Sequence, residues 1–234
     1  MSIRIRVLAV MSMVLVASSA WAQGNWTPGD GGQVRFRLGL FEPEGSSDGW
    51  DALYDGFTGG PGDLDDLSWG FDFGWKMTRQ SGFLFGLSYY EGSASSAYTD
   101  WVDGSGNDIR HVKRLRLNDL SVMYVLEVGP PAGVVRGYVG GGVGLVWYEL
   151  TEGGSFIDFG SEDLDVITTL YGTDATTWEL LAVAGIDVRL GWHWSLFFEG
   201  RWREADDTLG DDYSALGKLD LSGLELGGGF AFKF

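Results

Sequence analysis

The sequence has no cysteine and only two histidines among its 234 residues. The absence of cysteine excludes a disulfide framework, a thiolate metal site and a cysteine nucleophile, and two histidines leave little material for a histidine-rich metal centre. Basic residues are also scarce, because 16 Lys and Arg stand against 33 Asp and Glu, for a formal net charge of −17. Nucleic-acid binding needs a basic face, so no nucleic-acid partner is predicted.

Glycine and aromatic residues are abundant instead. The chain has 38 glycines, more than twice the usual share of roughly 7%, and 15% of its residues are Phe, Trp or Tyr. A hydrophobic content of 44% is ordinary for a folded protein. This composition favours many short strands joined by polar loops in one domain.

The first 22 residues have the pattern of a secretory signal peptide. Two arginines precede an apolar run at 7–16, and an Ala-Trp-Ala motif at 20–22 resembles a signal-peptidase site. The apolar run is too short to span a membrane as a helix. We therefore predict a signal peptide at 1–22, a short periplasmic segment at 23–33 and a barrel domain at 34–234.

A period of two dominates the rest of the chain. In residues 67–77 every odd position is large and apolar and every even position is small or charged, which predicts a strand with two unlike faces. The predicted strands are residues 34–41, 67–77, 83–90, 120–128, 135–147, 178–190, 192–202 and 224–234. Leu115 and Leu117 have the opposite parity to Leu120, so a β-bulge is predicted near residues 118–119. No long helix is predicted.

The connections between these strands alternate in length. The short ones are residues 78–82, residues 129–134 and the bend at Gly191, and the long ones are residues 42–66, 91–114, 148–177 and 204–223. This alternation predicts an all-β fold: an eight-stranded, antiparallel, up-and-down transmembrane β-barrel with short periplasmic turns and long extracellular loops. Both termini would then be periplasmic. Residues 156–159 and 166–171 could extend the third long loop as a hairpin.

Volume decides which face of the strands points outward. Eight strands enclose an interior only wide enough for side chains, and two large aromatic residues per strand would overfill it. The apolar face is therefore predicted to meet lipid, with aromatic girdles at both interfaces. The girdle candidates are Trp75, Trp192 and Trp194 at the periplasmic end and Trp69, Trp147, Trp178 and Trp202 at the outer end. A secreted soluble barrel of lipocalin type is the alternative.

The last strand carries a specific resemblance. Alternating aromatic residues end in a terminal phenylalanine at Phe230, Phe232 and Phe234. This resembles the carboxy-terminal signature strand of bacterial outer-membrane proteins and implies recognition by the barrel-assembly machinery. Together with the signal peptide and the strand count, it makes the chain similar to the OmpA transmembrane-domain, OmpX and OmpW type of small barrel. The resemblance implies an outer-membrane location with membrane lipid and lipopolysaccharide as partners.

Charged residues at the inward parity are the candidate functional residues. The candidates for ion pairs in the lumen are Arg35, Arg37, Asp72, Glu127, Arg136, Glu179, Asp187, Arg189 and Arg203. Glu127 and Arg136 flank one short turn, and Glu179 should oppose Arg203 if paired residues across Gly191 have numbers that sum to about 382. Buried ions need partners, so a salt-bridged plug, similar to the charged interior of OmpA, is favoured over an open pore. The alternative is a wet lumen with solvated charges.

The long loops are strongly acidic, and two interpretations of them stay open. Carboxylates could give weak divalent-cation binding, but no run fits a calcium-loop motif, and a solvated acidic surface is favoured. The second long loop ends instead in a basic cluster, made of Arg110, His111, Lys113, Arg114 and Arg116. This cluster could contact lipopolysaccharide phosphates or simply form the outer rim.

Catalysis is the least favoured of the functions considered. His193, Ser195 and Glu199 resemble the residues of lipid A deacylases, but their parity puts them inside the lumen, near its periplasmic end, away from outer-leaflet lipid. We predict no enzyme activity, no cofactor and no metal. A structural or surface-interaction role is favoured. The alternatives are a small channel or transporter of OmpW type and, after it, a lipid A-modifying enzyme.

Overall fold

The computed structural model describes residues 31–130, 133–161 and 164–234. The predicted signal peptide at 1–22 and most of the segment at 23–33 lie outside the described residues. The first strand begins at Gly32, so the end of that segment already belongs to the barrel wall.

The described residues form nine strands, of which eight make a closed ring. The strands are β1 (Gly32–Pro43), β2 (Asp66–Lys76), β3 (Ser81–Val102), β4 (Asp108–Val128), β5 (Val135–Ile157), β6 (Val166–Arg189), β7 (Trp194–Thr208), β8 (Lys218–Asp220) and β9 (Gly223–Lys233). Successive strands from β1 to β7 pair antiparallel, and β9 joins β7 to β1. The short β8 pairs only with the end of β7. The predicted eight-stranded, antiparallel, up-and-down barrel is confirmed.

Strands β3 to β6 are much longer than predicted. Each has 21 to 24 residues, so the predicted loops at 91–114 and 148–177 are wrong as loops and consist mostly of strand. Pairing continues upward to Ile157 and Val166, which confirms part of the predicted hairpin extension. Trp147 on β5 lies level with Tyr89, Asn118 and Thr176 on the neighbouring strands. We call the parts of β3–β6 that extend beyond this level, on the long-loop side, the protruding sheet. It continues for ten residues from Trp147 to Ile157, or roughly 30 Å along the strand.

The bulge predicted at residues 118–119 is also wrong. The pairing of β4 with both neighbours passes through these residues without a register shift. Leu115 and Leu117 point inward and are buried, whereas Leu120 points outward and is exposed. The apolar residues change face because the surroundings change: along the lower strand the outside is apolar, and in the protruding sheet the inside is apolar.

The outward face of the lower barrel is a continuous apolar belt. Its exposed aromatic residues include six of the seven predicted girdle tryptophans, with 70% exposure for Trp178 and 96% for Trp192. Phe230, Phe232 and Phe234 are exposed on this face too. Charged side chains point into the barrel instead. In the soluble lipocalin alternative, charged side chains would point outward into water. A belt of this kind is stable only when it is surrounded by lipid.

Close approach of neighbouring strands explains one of the glycines in the middle of β5, Gly142. A Cβ atom added to Gly142 would lie 2.0 Å from the carbonyl oxygen of Val122, whereas the nearest atom to one added at Gly141 would be the carbonyl oxygen of Leu181, 3.3 Å away. Glycine at residue 142 therefore lets the backbones of β4 and β5 approach each other.

This contrast gives a testable pair of substitutions. Gly142→Ala is expected to lower the free energy of unfolding by about 1–3 kcal/mol, because backbone atoms must move to admit the methyl group. Gly141→Ala is expected to change it by less than about 0.5 kcal/mol. Urea unfolding in lipid vesicles measures both, and equal losses in the two variants would contradict the close-approach explanation.

The long-loop end of the barrel is closed by a lid, which we define as the helix α1 (Asp48–Tyr54) together with β8. The Trp50 indole N–H donates to the carbonyl oxygen of Asp220 at 2.6 Å, and the Ser47 hydroxyl accepts from the backbone N–H of Asp220 at 3.1 Å. Trp50 is 1% exposed. The apolar cluster under the lid includes Phe41, Leu53, Leu64, Tyr90, Leu115, Leu117, Val146, Tyr148, Leu150, Leu219 and Leu221. Within the described ranges, no helix is long and apolar enough to cross a membrane.

Candidate functional site

The middle of the barrel is filled by charged side chains, and Glu199 is the centre of one layer. Its carboxylate lies 2.7 Å from Arg35 Nη2 and 2.6 Å from Arg201 Nε, and it accepts a hydrogen bond from the hydroxyl of Tyr138 at 2.5 Å. The Arg35 guanidinium also lies 3.8 Å from the centre of the Phe197 ring. All five side chains are buried. Strands β1, β5 and β7 thus meet across the lumen.

Asp72 is the centre of the next layer. Arg201 Nη2 lies 2.6 Å from its carboxylate and Arg37 Nη1 lies 3.3 Å from it. Arg37 Nε also contacts Glu225 on β9, at 2.7 Å. Arg201 therefore bridges two carboxylates, and the two layers form one network without a break.

Arg203 lies one layer nearer the lid and has a different main partner from the one predicted. Its Nη2 is 2.6 Å from Asp119, whereas its Nε is 3.6 Å from Glu179. The predicted register is wrong by two residues, because Arg203 pairs with Leu181 and Glu179 pairs with Ala205. The charges in this layer are matched across the barrel rather than along one hairpin.

A looser group of ion pairs lies at the short-turn end. Arg136 Nη1 is 2.6 Å from Glu127, which Lys76 also contacts at 3.1 Å. Asp187 is 3.0 Å from Lys233 and 4.0 Å from Arg136. Arg189, the last residue of β6, is exposed at the rim. The structure therefore brings eight of the nine predicted lumen candidates inside and leaves Arg189 outside.

Apolar residues share the lumen with these charges, and sequence reasoning missed them. Leu84, Met123, Val125, Tyr138, Leu181 and Val183 form a buried cluster at the level of Arg35. The inward parity that identifies the charged candidates applies equally to these apolar residues. Asp119, the partner of Arg203, was missed because the expected bulge put it at the wrong parity.

The residues that suggested a lipid A deacylase are not brought together. His193 lies in an exposed turn, where its Nδ1 is 2.8 Å from the carbonyl oxygen of Lys233. Ser195 is buried, and its hydroxyl donates to Asp187 at 2.9 Å. Glu199 belongs to the arginine network. The inward placement expected for His193 is wrong, because β7 begins only at Trp194.

The basic cluster of the second long loop is divided between the two faces of the protruding sheet. His111 and Lys113 point inward, and Arg110, Arg114 and Arg116 point outward. Outside, Arg116 contacts Glu149 at 2.6 Å and Glu91 at 3.2 Å. The outward arginines are therefore matched by carboxylates.

The inward pair forms a buried ionic cluster above the lid. Lys113 Nζ and His111 Nε2 each lie 2.7 Å from Glu152 Oε1, and the Lys113 ammonium lies 4.3 Å from the centre of the Phe57 ring. Burial lowers the pKa of Lys113, and the hydrogen bond and charge of Glu152 oppose this only in part. Burial would raise the pKa of Glu152, but hydrogen bonds to His111 and Lys113 outweigh it and hold that pKa below its usual range.

Some acidic loop residues cap backbone N–H groups. Asp63 accepts from the backbone N–H of Gly60 at 2.9 Å, and Asp103 accepts from that of Asn107 at 2.8 Å. Within the described ranges, no group of three or more His, Cys, Asp or Glu side chains is placed to hold a metal ion. Weak divalent-cation binding stays a prediction.

A closed eight-stranded ring with an outward apolar belt and a charged interior defines the class: a small transmembrane β-barrel of the outer-membrane type. Among solved structures, the chain is similar to Neisserial surface protein A, with 11% identity over 87% of this chain and 96% of that chain and a TM-score of 0.50. It is also similar to the outer membrane protein OprG from Pseudomonas aeruginosa, with 13% identity over 87% and 95% of the two chains and a TM-score of 0.51.

These similarities show the fold that the chain shares with small outer-membrane barrels. The outer membrane protease OmpT from Escherichia coli is similar as well, with 10% identity over 91% of this chain and 99% of that chain and a TM-score of 0.45. No family model matches the sequence, and no curated protein matches it at the level taken as significant. Because a fold does not by itself determine a function, a function must be argued from the chain's own residues.

Proposed function

We propose that this chain is a closed outer-membrane barrel that anchors the protruding sheet at the cell surface for interaction with a partner. The observation that carries the proposal is the uninterrupted filling of the lumen by the Glu199 and Asp72 layers under an apolar lid. The cavity at the short-turn mouth, whose lining includes Glu127, Arg136 and Arg35, has a volume of about 40 Å³, which is room for a few water molecules only. A small channel or transporter would need a continuous path through these layers.

The orientation in the membrane belongs to the same proposal. Short turns at one end and long strands at the other support periplasmic termini and a protruding sheet outside the cell. Phe230, Phe232 and Phe234 would present the assembly signal to the barrel-assembly machinery, and the outward Arg110, Arg114 and Arg116 would lie near lipopolysaccharide. These partners are inferred from position and residue type.

Conductance tests the closed barrel. The mature chain, residues 23–234, is refolded, and its folding is verified by a heat-dependent shift on gel electrophoresis. We expect silent planar bilayers, because the buried ion pairs leave no water-filled path. Steady discrete openings from folded protein would overturn the proposal and favour the channel. A Glu127→Gln variant, altered only at the mouth, is expected to be silent as well.

A further inference from the structure

The protruding sheet has two edges, and the edge on β3 is covered. Phe57 forms a β-bridge with Tyr98. The backbone N–H of Thr58 donates to the carbonyl oxygen of Ala97 at 2.8 Å, and that of Thr99 donates to Gly56 at 3.0 Å. The first long loop therefore pairs with this edge at residues 97–99.

The edge on β6 has no such cover. β6 pairs with β7 only from Glu179 to Arg189. On the side away from β5, no strand in the described part of the chain pairs with residues 166–178, which we call the open edge. The side chains of a 3₁₀ turn at Asp211–Tyr213 reach only its middle, where Asp212 accepts from the N–H of Gly172. An uncovered edge presents free N–H and C=O groups to any extended chain.

Two hydrogen bonds along β6 show which residues offer these groups. In an antiparallel strand, successive residues direct their N–H and C=O groups to opposite sides. Arg189 donates to Val134, on the β5 side, and Gly172 donates to Asp212, on the other side. Pairing with β5 is continuous from Val166 to Val188, so the alternation holds along the whole strand. The even-numbered residues Val166, Thr168 and Leu170 therefore offer their groups to the open edge.

The open edge also lacks the features that usually prevent strand addition. Natural edges carry lysine, proline or a bulge. Residues 166–173, with the sequence VITTLYGT, contain no charge and no proline, and their pairing with β5 shows no bulge. Leu170 is 69% exposed. A flat edge of β-branched and aromatic residues is suited to main-chain pairing with another strand.

We propose that residues 166–171 bind an extended segment of a partner protein as an added β-strand. The inference rests on the proposed function, since it names the kind of partner that the protruding sheet would take. Carboxylates flank the site. Asp165 directly precedes β6, Asp174 lies on β6, and Asp211 and Asp212 lie in the adjacent turn. The complementary segment carries lysine or arginine alternating with β-branched residues.

The probe is a synthetic peptide with the sequence KVTVKVTVK, acetylated and amidated at its ends, added to the folded protein in lipid nanodiscs. Amide exchange measured by NMR is expected to slow at least tenfold for Val166, Thr168 and Leu170. Exchange at Ile167 and Thr169 is expected to change little, because those amides already pair with β5. No protection of the even-numbered amides would overturn the proposal.

Substitutions at one position separate strand addition from other binding. Thr168→Pro removes an outward N–H without removing a bond to β5, and it is expected to weaken peptide binding at least tenfold. Thr168→Ala retains the N–H and is expected to bind within twofold of the unchanged chain. Equal binding by both variants would overturn the proposal, as would dimerisation of the chain that protects the same amides, which would assign the edge to a second copy.

The closed barrel and the strand-binding edge can be overturned independently of each other. Discrete conductance together with peptide-dependent protection would overturn the closed barrel but leave the open edge in place. Silent bilayers together with unprotected amides would leave the barrel closed and overturn the strand partner. A peptide with glutamate in place of lysine tests the charge argument, and we expect it to bind at least tenfold more weakly.

Discussion

Glu199→Gln is expected to lower the free energy of unfolding of the barrel by about 3–5 kcal/mol, the usual cost of removing one partner from a buried ion pair. Glu199 contacts Arg35 and Arg201 at 2.7 and 2.6 Å, and both guanidinium groups are buried. A neutral amide leaves Arg35 without its carboxylate and Arg201 with Asp72 alone, in a buried part of the lumen. The measurement is urea unfolding in lipid vesicles, followed by tryptophan fluorescence.

A control on the same strand isolates the effect of burial. Glu204 on β7 is exposed, so Glu204→Gln makes the same chemical change in contact with water. Its effect is expected to stay within about 0.5 kcal/mol. A loss of less than about 1 kcal/mol for Glu199→Gln would show that water reaches the arginines, and it would contradict the filled lumen together with the closed barrel proposed from it.

Glu152→Gln is expected to be the second most damaging substitution, with a loss of about 3 kcal/mol confined to the protruding sheet and the first long loop. The reason is that Lys113 would keep its charge in a buried site without its carboxylate. Hydrogen exchange near Phe57 measures the loss, because the ring of Phe57 packs on the Lys113 ammonium. The barrel below is expected to unfold at the same urea concentration as before.

Acid should imitate this substitution in the unchanged protein. The pKa of Glu152 lies lower in the folded state than its ordinary value of 4.5, so the folded state binds this proton less tightly than the unfolded state does. The stabilisation is therefore complete above about pH 4.5 and is lost as the pH falls through the lower folded value. The protection factor for exchange near Phe57, which corrects for the intrinsic pH dependence of exchange, is expected to fall as the pH drops below about 4.5 in the unchanged protein, and this step should disappear in Glu152→Gln.

Glu149→Gln provides the matched control for both measurements. Glu149 lies on the same strand and contacts Arg116 at 2.6 Å, but its side chain is 46% exposed. Exposed pairs contribute about 0–1 kcal/mol, and we expect no more than that here. Equal losses at residues 149 and 152 would mean that the Lys113 site is open to water in solution.

The lower barrel could be predicted from sequence because one physical rule governs it. A strand in lipid must put apolar side chains outside and leave the narrow interior to small or charged ones, so the period of two is visible in each strand. Phe71 and Asp72 illustrate it, because the first is exposed in the belt and the second is buried among arginines. The same rule identified the interior positions of Arg35, Arg37 and Glu127.

The upper half could not be predicted by that rule, because the rule reverses where the strands leave the lipid. The parity change at Leu115 and Leu117 marks this boundary, although it resembles a bulge in the sequence. The partners of Arg203 depend on how the strands tilt across the barrel. The pairing within one hairpin gives no information on that tilt. The lid depends on a contact between residues 170 positions apart, and no local pattern predicts such a contact.

The bond between Trp50 and Asp220 also has a consequence for biogenesis. Trp50 belongs to the first connection of the chain, and Asp220 lies three residues before the final strand, so we expect the bond to form when β9 joins β1 and β7. A formed lid therefore indicates that the ring of strands is complete. A protease that cuts within the first long loop would distinguish chains whose ring is still open from finished ones, at a site far in sequence from the last strand to be inserted.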